Sequence, residues 1–327
     1  MKARRLSIAL VFTVLIFSTT SCSESANQPE LFDRAENTAD PSIAAPSVDE
    51  NLAREAGRER IIYHVGPVDL PARTNAEAML EKPLTMRFQT DKPVWVTGFV
   101  PKVVGPNGAE LPADLLHQAV IMNMHEENPL CAGSPNPFVI ANSMMTELEL
   151  PQGYGYPILS SDPIEAKVVL ANPTDKDFVD VYFELTLVTR PMSDFSNVRD
   201  VKPMMLELEP CTHSTMEVEP QAFVKRSATY QVPSAATLVA AHAMLQRYGA
   251  AVDLTAGTEI TPFWRAEAML SEDSGVIALT DNPFVDPGGQ VFSEGDRITF
   301  SASYDNGSDS WLTGASAAAM VYLATED

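Results

Sequence analysis

The chain has 327 residues, of which 44 are acidic and 22 are basic, so its formal net charge is −22. This excess of negative charge argues against nucleic acid and anionic membrane surfaces as partners, because contact with phosphate groups requires a basic footprint. Net charge says little about the fold, so the class of protein has to be inferred from the elements along the chain.

The N-terminus predicts a signal peptide over residues 1–21. A basic start, Lys2 to Arg5, precedes the apolar run Leu6 to Phe17, which is too short for a permanent membrane-spanning helix but typical of a signal-peptide core. Thr19-Thr20-Ser21 then leads into Cys22, which resembles the bacterial lipobox, where the cysteine becomes the lipidated first residue of the mature protein. Ordinary signal cleavage beside an incidental Cys22 is the alternative.

These features predict an exported protein of the cell envelope, either periplasmic or an outer-membrane lipoprotein, whose contact with the membrane is a lipid anchor alone. Residues 22–58 are rich in Ser, Asn, Glu, Asp, Ala and Pro, which cannot bury enough apolar surface to fold, so they predict a flexible tether. About 270 residues remain, a length that suits two domains.

Cys131 and Cys211 are the only cysteines that follow the tether. In an oxidising compartment an even pair predicts a disulfide bond. Two buried free thiols are the alternative, and the sequence contains no Cys-x-x-Cys metal motif.

The rest of the sequence has the pattern of short β-strands separated by turns. Leu84 to Gln89 alternates apolar and polar residues, as a half-buried strand does, and Val94 to Val100 is bounded by a proline and followed by a glycine-rich turn. Similar segments recur to the C-terminus, and their spacing favours antiparallel sandwiches over a parallel α/β sheet. A polar break near Pro191 to Asp200 predicts a boundary between domains at 59–192 and 193–327.

An ordered set of short motifs gives the chain a resemblance to a known enzyme family. The motifs are Leu116 to Asn123, Asn128 to Cys131, Leu150 to Pro157, Leu170 to Asp175, Val239 to Met244, Tyr304 to Asn306 and Met320 to Tyr322. Together they resemble the copper type II, ascorbate-dependent monooxygenases, the family of peptidylglycine α-hydroxylating monooxygenase and dopamine β-monooxygenase, and more closely their secreted bacterial relatives. The resemblance implies an all-β fold of two tandem antiparallel jelly-roll sandwich domains.

The resemblance also implies a copper ion in the first domain, held by three histidines. The matching positions in this sequence are His117, Gln118 and Ala171, so a single imidazole remains as a remnant of the site. An amide and a methyl group are poor ligands for an ion that cycles between Cu(I) and Cu(II). We therefore expect Gln118 and Ala171 to lie close to His117 in a degenerate site.

In the second domain the resemblance implies a copper ion held by a His-x-His pair and a methionine. His242-Ala243-Met244 occupies the pair, and Ala317 occupies the position of the ligand methionine. Because residues i and i+2 of a strand share a face, His242 and Met244 form a weak candidate copper site. We expect both to face the groove between the domains, with Ala317 opposite them.

The sequence therefore predicts a non-catalytic binding or assembly protein that retains a copper-monooxygenase-like fold but lacks most copper ligands. Its partner is an unknown protein or small molecule, no catalytic residue is predicted, and no cofactor is expected, with copper as the alternative. Two other classes stay open. One is a copper-dependent monooxygenase that hydroxylates a carbon with O2, and the other is a periplasmic copper-binding protein that uses His242 and Met244.

Overall fold

The structure is a computed structural model, described here for residues 47–48, 57–74, 76–80, 82–145, 147–194, 197–212, 215–271 and 275–325. All of these residues belong to one compact unit, 41–327. The predicted signal peptide, the lipidation site at Cys22 and most of the predicted tether lie outside the described residues, so they stay predictions. No helix in the described part of the chain is long and apolar enough to cross a membrane.

The described residues of the first half of the molecule, up to residue 194, form ten strands. They are β1 (Ser47–Val48), β2 (Glu59–Leu70), β3 (Leu84–Phe88), β4 (Val94–Val104), β5 (Leu116–Glu127), β6 (Pro135–Ala141), β7 (Leu148–Glu149), β8 (Tyr154–Ile158), β9 (Ile164–Leu170) and β10 (Phe178–Pro191). Its helical elements are one short α-helix, α1 (Ala76–Leu80), and two single 3-10 turns, at Ala113–Leu115 and Met192–Asp194.

The second half, from residue 197, adds eleven strands. They are β11 (Arg199–Glu207), β12 (Met216–Val218), β13 (Ala222–Gln231), β14 (Ala236–Leu245), β15 (Gly249–Ala256), β16 (Trp264–Leu270), β17 (Val276–Leu279), β18 (Phe284–Phe292), β19 (Arg297–Asn306), β20 (Leu312–Ala315) and β21 (Ala317–Thr325). The prediction of an all-β fold is thereby confirmed.

The two halves have equivalent sheet orders. In the first half the orders are β2-β10-β4-β8 and β3-β9-β5-β6, and in the second half they are β11-β21-β14-β18 and β13-β19-β15-β16. Apart from a short parallel pairing of β8 with β11, which joins the halves in one large sheet, every strand pairing among the described residues is antiparallel. These matching orders support the finer prediction of two tandem jelly rolls, which stays a prediction, as does the boundary between the domains.

The sheet that contains β14 and β21 lies between two hydrophobic cores. Every residue of β14 is buried, and successive side chains alternate between the cores. Met244 packs into the core of the first half, whereas Ala243 and Leu245 pack into the core of the second. A strand that is buried on both faces needs a nearly continuous apolar sequence, as β14 has.

The halves also share one turn motif, centred on Asn172 and Asn306. In each motif the side-chain amide donates hydrogen bonds to three backbone carbonyls. In each, the asparagine oxygen accepts from the hydroxyl two residues later, Thr174 or Ser308. Asn172 and Asn306 are fully buried, so these bonds satisfy amides that would otherwise carry the full cost of desolvation.

A disulfide bond joins the two halves. Cys131 lies in the turn between β5 and β6, Cys211 follows β11, and their Cα atoms are 5.5 Å apart. The predicted pairing is confirmed. Its sequence separation of 80 residues means that the bond restricts a long loop of the unfolded chain.

We predict that replacing both cysteines with serine lowers the free energy of unfolding by on the order of 4 kcal/mol, since the unfolded chain regains the entropy of an open loop. Urea unfolding of the oxidised protein and of the double variant measures the difference. Reduced natural protein is the matched control and should unfold like the variant. A difference below about 1 kcal/mol would contradict the entropic argument.

Candidate functional site

The first predicted copper position lies at the start of β5. Leu116 is opposite Leu170 and Gln118 is opposite Val169, so His117 is an extra residue that forms a β-bulge. The backbone amide of Ala171, next to Leu170, donates to a carbonyl just before β5. His117, Gln118 and Ala171 are therefore carried by neighbouring segments at one end of the same pair of strands.

The chemistry of this first position does not fit copper. Burial lowers the pKa of His117, which favours the neutral imidazole that a metal requires. Its neighbours contribute an amide and a methyl group, and the described residues contain no group of three or more His, Cys, Asp and Glu side chains that could hold a metal ion. One imidazole does not hold copper tightly, so we derive no chemistry through a metal here.

The second predicted position is centred on His242, whose side chain has no exposed surface. Its Nε2 lies 2.8 Å from the backbone oxygen of Ile140 on β6 of the first half, so this nitrogen carries the proton and donates it. The imidazole packs between Phe99, at a ring-centroid distance of 5.6 Å, and Tyr322, at 6.1 Å. The prediction that His242 faces a groove is therefore wrong, because the first half closes over it.

The prediction for Ala317 is also wrong. In the register of β14 with β21, Ala317 is opposite Leu245, whereas Met320 is opposite His242. Residues opposite each other on antiparallel strands share a face, and three positions along a strand reverse the face. Ala317 therefore packs into the core of the second half, and Met320 takes the place beside His242 that was expected for Ala317.

One face of the two strands thus carries His242, Met244 and Met320. The Nδ1 atom of His242 is buried and has no hydrogen-bond partner among the described residues. Because Nε2 holds the proton, Nδ1 presents a lone pair. An imidazole nitrogen and two thioethers are soft ligands of the kind that suit Cu(I), so this position fits a metal in part.

His242 also has a structural role, which it shares with Tyr322. Strand β6 is the edge of its sheet. Its Phe138 carbonyl accepts a hydrogen bond from the Tyr322 hydroxyl at 2.9 Å, and its Ile140 carbonyl accepts one from His242. Burial raises the pKa of Tyr322 well above its usual value, so the hydroxyl keeps its proton. Buried carbonyls without partners are costly, so these two donors are what allow the second half to cover this edge.

A separate concave site lies on the outer face of β2, β10 and β4, away from the core. It is a cleft with a volume of about 380 Å³. Ile62 and Val100 contribute to its floor, since both are opposite Thr186 of β10. Arg60 and Glu147 line this cleft together with Val100, and the same three residues line a smaller adjoining cavity. Sequence reasoning missed this site, although the alternation of Arg60 and Ile62 in β2 is a signal that they share a face.

Comparison with protein-family models finds no match, and comparison with curated proteins likewise finds none. Among solved structures, one similar chain is described as the crystal structure of the STIV MCP. It is 9% identical, and the alignment covers 81% of this chain and 96% of that chain with a TM-score of 0.33. A likeness at this level carries no argument about function.

We predict that His242 makes the protein less stable in mild acid. Burial lowers its pKa from 6.5 to about 4, so the unfolded chain takes up a proton as the pH falls below 6.5 while the folded protein does not. Stability therefore falls between pH 6.5 and 4, by at most about 3 kcal/mol from this group. Urea unfolding across this range should show a flatter pH dependence for His242→Gln than for natural protein or a His64→Gln control. Equal slopes would contradict the prediction.

We predict that Gln118→His combined with Ala171→His creates copper affinity in the first half. The double variant would supply three imidazoles where natural protein has one, and copper affinity depends on the number of such ligands. Competition with a chromophoric copper chelator measures the gain, and Gln118→Asn with Ala171→Ser is the matched control. If natural protein already binds copper there as tightly, the assignment of these positions is wrong.

Proposed function

We propose that this chain is a non-catalytic binding or assembly protein of the bacterial envelope, exported and tethered through Cys22. The observation that carries the proposal is that His242 is buried and already hydrogen-bonded. The residue at the position of a copper ligand in the family that the sequence resembles is fully buried and donates its Nε2 proton to the Ile140 carbonyl. It holds the halves together and is closed off from a substrate.

The residues of the first half support the same proposal. An enzyme that passes electrons between two copper ions needs ligands at both positions, and His117 is the one imidazole at the first. Binding would then use an exposed face of a sheet instead of a groove between the halves. The cleft beside Arg60 is the concave surface on which the proposal centres.

A second candidate function is Cu(I) binding by His242, Met244 and Met320. The unpartnered Nδ1 of His242 favours it, because a buried lone pair without a donor is the arrangement that a soft ion would satisfy. Bound copper would supply soft-metal storage or delivery at this position. The chain's own residues would hold the ion with Nδ1 and the two sulfur atoms, while Nε2 continues to donate to Ile140.

Copper titration of the purified protein under ascorbate, with a Cu(I) chelator as competitor, tests the proposal. We expect no tight copper and no ascorbate-dependent oxygen consumption, because His242 is already occupied as a structural donor and the first position lacks ligands. The measurements are ions bound per chain and the rate of oxygen uptake.

Other outcomes distinguish the remaining classes. One tight Cu(I), lost in both His242→Gln and Met320→Leu but kept in Met86→Leu, would favour the second candidate; Met86 is a buried methionine in the core of the first half and serves as the matched control. Two tight ions with oxygen uptake would contradict the proposal and favour a monooxygenase.

A further inference from the structure

The cleft on the outer face of the first half contains charges that differ in how they are paired. Glu184 lies 3.0 Å from the Nε2 atom of His64, and Lys102 lies 3.0 Å from Glu110. The side chains of Arg60 and Glu147 make no ion pair or hydrogen bond with any residue in the described part of the chain. Arg60 and Glu147 are therefore the charged side chains of this lining that are left to contact a ligand.

The unpaired Arg60 and Glu147 line the same space but do not neutralise each other. Both border the main cleft and the adjoining cavity, and Val100 borders both as well. A molecule that carries both charges would therefore give each of these side chains a partner of opposite sign.

The floor of the cleft is apolar. Ile62 and Val100 are partly buried, and Met145, also in the lining, is buried. Apolar area of this kind gains free energy when a ligand covers it. The volume of about 380 Å³ is at the small end of the range for small-molecule sites, which limits the ligand to a few residues or fewer if it is a peptide.

We propose that this cleft binds a short apolar peptide with free termini. The carboxylate at the C-terminus pairs with the Arg60 guanidinium, whose planar fork matches a carboxylate. The ammonium at the N-terminus pairs with Glu147, and apolar side chains cover Ile62 and Val100. The inference rests on the proposed binding role and names the ligand class for it.

The register explains how the site is built. In β2, Arg60 and Ile62 are two residues apart and therefore point to the same outer face, while Ile61 points into the core. Across β10, Val188 is opposite Arg60 and Thr186 is opposite Ile62. The cation and the apolar floor thus lie on rigid strands, whereas Glu147 lies just before β7, outside the main strands.

Isothermal titration of the full-length protein with the dipeptide Leu-Leu tests the proposal. Two analogues remove one charge each: acetyl-Leu-Leu lacks the ammonium, and Leu-Leu amide lacks the carboxylate. We expect Leu-Leu to bind, and each analogue to bind natural protein about tenfold or more weakly, since each loses one charge-assisted contact. Free leucine should bind more weakly than Leu-Leu because it covers less of the floor.

Variants assign the contacts. Arg60→Gln should bind Leu-Leu about tenfold more weakly than natural protein does. In this variant, amidation of the peptide should cause no further loss of affinity. In Glu147→Gln, acetylation should have no further effect. Arg226→Gln, an exposed arginine on β13 of the second half, is the matched control and should bind like natural protein.

Three results would overturn the inference. They are no binding of Leu-Leu, an equal loss of Leu-Leu affinity in Arg60→Gln and Arg226→Gln, or variants in which acetylation and amidation of the peptide weaken binding as much as they do in natural protein. Thermal unfolding of each variant checks that the fold is intact, and both charge changes lie on an exposed face where they should leave it so.

Copper titration separates the two proposals. Absent peptide binding with absent copper would leave the non-catalytic role in place, whereas two tight copper ions with ascorbate-dependent oxygen uptake would contradict that role whatever the peptide does.

Discussion

The closed contact between the halves depends on two hydrogen bonds, which Tyr322 and His242 donate to carbonyls on the edge strand β6. An edge strand exposes unpaired backbone groups, and burying them without partners would cost a large part of the stability of a domain. Because these donors come from β21 and β14, both strands must be buried on two faces. Their many alanines follow from this, since small side chains let two cores pack closely on one sheet.

This arrangement gives His242 a role that differs from the one the sequence resemblance implies. A copper ligand that acts in oxygen chemistry has to be reached by substrate, whereas this imidazole has its Nε2 on a carbonyl and its ring between Phe99 and Tyr322. The same burial that ties the halves together lowers the pKa of the ring. Its Nδ1 lone pair, beside Met320 across the strands, is the feature through which a soft metal could still act.

Because the surface between the halves is closed at His242, our proposals place the binding site on the outer face of the first half. Alternate residues of β2 face the core there, so Arg60 and Ile62 point outward and line the cleft together with Val100. In a protein of net charge −22, Arg60 is a cation in the lining of this cleft that has no ion-pair partner among the described residues. Anionic and zwitterionic ligands are the chemical classes that such a position distinguishes.

The sequence by itself determined the all-β class, because alternation and turn residues act locally, and it predicted the Cys131–Cys211 disulfide, because these are the two cysteines that follow the predicted tether. It misplaced Ala317, because the register of two strands depends on a bulge between Leu238 and Ala240 that shifts every pairing beyond it. It also gave no sign that the first half would cover His242, or that Arg60 and Glu147 would line one cleft. Those relations join residues far apart in the chain, and only the packing of whole sheets decides which of them meet.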